Sequence, residues 1–127
     1  MPFSVDPRRI SDAEAAIGIK LPSAWRKALE RKNGGEFEFR NEVWTIHPVA
    51  DNADRRRTAR TCNHIGWETA QARTWPGFPP DAVALAGSDL GNRLIAKHDS
   101  RSVWLWDHET CEVTDLADFD PLTASPH

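Results

Sequence analysis

The sequence contains no tyrosine, one methionine and only two cysteines, Cys62 and Cys111, in 127 residues. Two thiols cannot staple a small fold, so a hydrophobic core must hold this one, and thiols left reduced make the cytoplasm the default compartment. No apolar run approaches the ~18 residues that a membrane span requires. The N-terminus, Met1-Pro2-Phe3-Ser4-Val5-Asp6, lacks a basic stretch followed by an apolar one, so no secretory signal is expected. An excess of positive charge is missing as well. The net charge is -3 and the pI about 5.9, which argues against the chain as a whole binding nucleic acid.

What is present suits one globular domain spanning residues 1–127. Six Trp and five Phe supply large apolar anchors, which a disordered chain rarely carries. Charge is unevenly spread: residues 81–127 hold nine acidic side chains against three basic ones, whereas residues 51–80 hold five basic against three acidic. The acidic character therefore sits in the C-terminal third.

Local signals order the elements. Ser11-Asp12-Ala13-Glu14 reads as a capping box, with Gly18 as a left-handed stop, predicting a helix over 11–17. Leu21-Pro22-Ser23 opens a second helix with Trp25, Ala28 and Leu29 on one face, ended by Asn33-Gly34-Gly35. Glu36 to Phe39 and Glu42 to Ile46 alternate apolar and polar residues about Arg40-Asn41, the pattern of a β-hairpin. Residues 51–73 read as helical but irregular, capped by Asp51 or Asn52 and interrupted at Gly66, with Trp67 to Arg73 a second short helix. Three prolines make Trp75 to Pro80 a rigid loop. Strands are expected at 82–86, 93–98, 102–107 and 112–116, joined by turns, and the tail can begin a helix at Asp118 before meeting Pro121. Helices followed by adjacent strands with tight turns predict an α+β fold with an antiparallel sheet.

These residues resemble a known family. Ile10, Glu14, Gly18, Leu21-Pro22, Trp25, Leu29 and Asn33-Gly34-Gly35 are similar in order and spacing to the entry motif of the SUKH superfamily, which includes the fungal cell-wall-synthesis regulator domain and many bacterial immunity proteins. Gly87-Ser88-Asp89-Leu90-Gly91-Asn92 resembles its Gly/Asp-rich turn, and Val103-Trp104-Leu105-Trp106-Asp107-His108-Glu109 its aromatic strand. The resemblance runs from residue 10 to about 119. It implies a curved antiparallel sheet with helices packed against it, and a protein that works by stoichiometric binding rather than turnover. It transfers no catalytic residue.

Other chemistries fit less well. Cys62-x-His64 and His108-x-x-Cys111 would make a Cys₂His₂ set suited to zinc, but the first pair is spaced more tightly than a usual knuckle, so no metal is expected. No nucleophile elbow, metalloprotease helix motif or phosphate-binding glycine loop occurs, so neither an enzyme nor a cofactor is expected. Arg55-Arg56-Arg57 and Arg60 could grip a phosphate backbone, yet they read better as a solvated face or as partners of the acidic third. Trp104 and Trp106 share one face of their strand and Val103 and Leu105 the other, which predicts a central strand covered on both sides. Trp44 and Trp75 are the tryptophans expected to be partly exposed as interface anchors.

The leading expectation is a cytoplasmic immunity protein that blocks a cognate toxin, such as a nuclease, through a carboxylate surface made of Asp89, Asp99, Asp107, Glu109 and Glu112. The alternative is a regulatory or scaffold module that recruits other proteins. The expected partner is a protein in either case, with neither nucleic acid nor membrane.

Overall fold

Asp6 begins the first helix. Its carboxylate accepts a hydrogen bond from the Arg8 backbone N–H, Pro7 follows at the first helical position, and α1 runs Pro7–Ile17 to Gly18, whose φ of 83° ends it. The helix thus starts four residues before the expected capping box. Ser11 and Glu14 instead hold the next helix, α2 (Ser23–Arg31): Arg26 donates to Ser11 Oγ at 3.0 Å and to Glu14 Oε1 at 2.6 Å, and Glu14 Oε2 accepts from the Leu21 N–H at 2.7 Å.

The computed structural model describes residues 3–98, 101–117 and 119–126. Among them, β1 (Glu36–Phe39) and β2 (Glu42–Ile46) form the expected hairpin. Arg40 and Asn41 both take positive φ, 53° and 63°, the conformation of a tight turn whose twist matches its strands. Two short helices follow, α3 (Arg55–Arg60) and α4 (Ile65–Ala72). Asp54 rather than Asp51 or Asn52 caps α3, and His64 caps α4 by accepting from the Trp67 N–H at 3.2 Å. Gly66 lies inside α4 and is not a break. A Cβ there would come within 3.2 Å of the His64 ring, so the glycine makes room for the cap.

The remaining strands are β3 (Val83–Ser88), β4 (Arg93–Ala96), β5 (Val103–Trp106), β6 (Val113–Asp115) and β7 (Ser125–Pro126). All described pairings are antiparallel, in the order β6-β5-β4-β3-β2-β1-β7. The fold is α+β, as expected. The tail departs from expectation: Asp118 lies outside the described residues, and 125–126 return as a strand beside β1 rather than a helix.

The sheet is covered on both faces. Trp25, Leu29 and Ile10 from α1 and α2 pack with Phe37, Trp44, Leu85, Leu94 and Val103 on one face. On the other, Ala72 of α4 and Phe78 and Ala82 around the proline loop pack with Ala84, Ile95 and Trp106. The β5 strand is covered on both sides, but it lies next to the edge strand β6 rather than at the centre.

Candidate functional site

An antiparallel meander brings alternate turns to the same end of a sheet. The turns β1–β2 (40–41), β3–β4 (89–92) and β5–β6 (107–112) therefore share one end, and Asn92 links them. Its Nδ2 donates to Glu42 Oε1 at 2.9 Å, and its Oδ1 accepts from the His108 N–H at 3.1 Å. Gly91, at φ 93°, lets the turn pass so close to the His108 ring that a Cβ would lie 3.0 Å from it. This end carries Glu42, Asp89, Asp107, Glu109 and Glu112, and Leu90 of the β3–β4 turn is 62% exposed.

The carboxylates differ in how they are occupied. Asp89 Oδ1 accepts from the Val43 N–H at 3.3 Å while its own N–H donates to the Val43 carbonyl, so the side chain extends the β2–β3 ladder. Asp107 Oδ1 accepts from the N–H groups of Glu109 and Thr110 at 2.8 and 3.2 Å, forming an Asx turn. Glu109 has its side chain 81% exposed, with His108 Nε2 4.0 Å from Oε1. Glu112 is exposed. Asp99 lies outside the described residues.

The two tryptophans separate. Trp44 is fully buried, its Nε1 donating to the Phe39 carbonyl at 3.1 Å, which corrects the expectation that it is an exposed anchor. It occupies the side of the hairpin that faces α2. Trp75 is half-buried: it stacks on Trp106 at 6.1 Å and lies under the Arg93 guanidinium at 4.7 Å. Trp67, 51% exposed, carries the exposure expected of Trp44. Leu90 and the linker Asn92 were not singled out in the sequence as more than turn residues.

The arginine cluster is engaged locally. Arg57 pairs with Asp54 and, at 3.6 Å, with Asp51, and Arg57 and Arg60 lie over the Phe3 ring at 4.2 and 4.9 Å. The carboxylates described against Arg57 are thus its sequence neighbours Asp51 and Asp54. Cys62 and His64 sit at the entry to α4, while His108 and Cys111 lie on the β5–β6 turn. Among the described residues no three His, Cys, Asp or Glu side chains are grouped to hold a metal. Nor is any helix among them long and apolar enough to cross a membrane.

A cavity of about 580 Å³ opens between α3, α4 and the sheet. His47, Glu68 and Arg93 line it. Burial pushes the His47 pKa down, against the pull of the Ala84 carbonyl and the Glu68 carboxylate.

Residues 4–119 match the SMI1 / KNR4 family (SUKH-1). The chain belongs to this family. The match covers both faces of the sheet and all three turns of the acidic end, and it places the fold within the SUKH superfamily. No curated protein matches the chain. SUKH domains are in general non-catalytic immunity or regulatory modules that act through protein–protein contacts.

Proposed function

We propose that this protein is a cytoplasmic, non-catalytic immunity protein that neutralises a basic toxin domain, such as a nuclease, by one-to-one binding. Membership of the SUKH-1 family over residues 4–119 is the observation that carries the reading. The acidic end of the sheet supports it. A nuclease cleft is lined with positive charge to hold phosphates, and carboxylates presented on rigid turns complement it, speed encounter and exclude substrate. Leu90, exposed on the β3–β4 turn, offers an apolar contact at the same end. Glu109 and Glu112 are the side chains assigned to the partner, with Asp89 and Asp107 shaping the turns that present them.

The test is co-expression with a toxin domain taken from the neighbouring genes. Growth should be restored, the two proteins should co-elute as a one-to-one complex, and this protein alone should turn over neither nucleotides, esters nor peptides. Failure to bind or protect against any neighbouring toxin would favour the regulatory reading.

A further inference from the structure

The cavity beside α4 sets hydrogen-bond acceptors and donors on facing walls. His47, on the segment just after β2, has only 8% of its side chain exposed. Its Nδ1 lies 3.0 Å from the Ala84 carbonyl oxygen, which can only accept. Nδ1 therefore carries the proton, and in the neutral ring Nε2 is a lone-pair acceptor. Nε2 faces Glu68 Oε2 at 4.0 Å, so two acceptors stand side by side on one wall.

Arg93 brings donors to the same cavity. Its Nε is fully buried and out of a ligand's reach, so only the terminal nitrogens of the guanidinium can serve one. The guanidinium is fixed. Nη1 donates to the Asn92 carbonyl at 2.9 Å, Trp75 covers one side at 4.7 Å, and Gly87 forms a flat floor where a Cβ would come within 3.1 Å of Cζ.

The charges narrow what such a ligand can be. A simple anion would meet the carboxylates of Asp51 and Glu68, and a simple cation would meet the guanidinium groups of Arg57, Arg60 and Arg93, all of which line the cavity. A neutral group with a donor beside an acceptor suits both sets. We propose that the cavity binds a small planar ligand through an amide edge, its N–H donating to His47 Nε2 and Glu68 and its C=O accepting from Arg93. A primary carboxamide and a pyrimidine base share that edge. The volume lies within the ~300–1,000 Å³ typical of small-molecule sites. This inference does not depend on the immunity role, and its test requires no protein partner.

The test uses three probes of the same shape that differ only at the edge: benzamide, benzoate and benzamidine, with uracil and cytosine as the base arm. Binding is followed by the backbone amide shifts of His47 and Gly87 on the intact protein. Benzamide or a pyrimidine should saturate these shifts at least ten-fold more tightly than benzoate or benzamidine. Which of the two arms binds better identifies the source of the edge. Glu68→Gln should weaken the best probe ten-fold or more while leaving the melting temperature near the parent's, and Gly87→Ala should weaken it by displacing Arg93. Benzoate or benzamidine binding as tightly as benzamide would overturn the proposal. So would the absence of any shift at tens of millimolar, or undiminished binding in Glu68→Gln.

Discussion

Trp25 is the largest side chain that joins α2 to the sheet. It is fully buried, with Phe37 and Phe119 each 6.4 Å from its ring. Trp25→Ala should therefore destabilise the protein by about 3–5 kcal/mol out of a typical total of about 5–15, read as a lower midpoint in a urea melt. A midpoint near the parent's would remove Trp25 from the core. His47 gives a second residue-scale prediction. Its folded pKa lies below the ordinary 6.5, so at mildly acidic pH the unfolded chain binds the proton more readily. Stability should hold above pH ~6.5 and fall as pH drops below it, at no more than about 1.4 kcal/mol per pH unit for one proton. His47→Asn, which can still donate to the Ala84 carbonyl, should flatten that slope. An equally steep fall in the variant would assign it to other groups. Trp25 was legible because its i, i+3, i+4 neighbours are apolar. Trp44 was not, because alternation shows that a hairpin has two faces without saying which one meets a helix. His47 was invisible, since a lone histidine after a strand carries no spacing signal.

At the scale of elements, the main strands, the tight turns and the start of α2 were readable, and the starts of α1, α3 and α4 were not. The hairpin, the proline loop and the meander follow from period-two alternation and turn chemistry, which are local. The start of α1 was misread because Ser11 and Glu14 carry the spacing of a capping box, while Asp6-Pro7 carries an equally good start four residues earlier. Only the position of α2 decides between them, and that is tertiary information. The consequence is measurable. In a capping box, Ser11→Ala and Glu14→Ala would both have modest and similar effects. Here Glu14, whose side chain is 12% exposed, accepts from both the Leu21 N–H and Arg26. Glu14→Ala should cost about 1.5–3 kcal/mol, as loss of charge-assisted hydrogen bonds does, and clearly more than Ser11→Ala. Equal effects in thermal melts would restore the capping box. The strand β7 was unreadable for a related reason: two residues paired with β1 have no pattern of their own.

At the scale of the whole molecule, the meander converts a sequence asymmetry into a spatial one. Nine acidic residues in the C-terminal third would mean little if the chain scattered them. Because β3–β4 and β5–β6 turn at the same end, Asp89, Asp107, Glu109 and Glu112 come together, and Glu42 from the first hairpin joins them. The antiparallel order was legible in the sequence; the division of labour among the carboxylates was not, because it depends on which carboxylate oxygens the backbone N–H groups already occupy. That division sets the design of the decisive charge test. Reversing Asp107 would remove the acceptor for two backbone N–H groups and confuse loss of binding with loss of the turn. Glu109→Lys with Glu112→Lys leaves the turn's side-chain cap in place and should keep the fold, since exposed substitutions of this kind usually fall within about 0.5 kcal/mol. In stopped-flow mixing with the cognate toxin, the parent's association rate should fall as salt rises, because exposed charges are screened over about 8–10 Å at 0.1–0.15 M. The double variant should associate more slowly at low salt and lose most of that dependence, while dissociation changes less. If the two proteins associate equally fast at every salt concentration, charge at this end of the sheet does not steer the partner. The contact would then rest on apolar groups such as Leu90 and the half-buried Trp75.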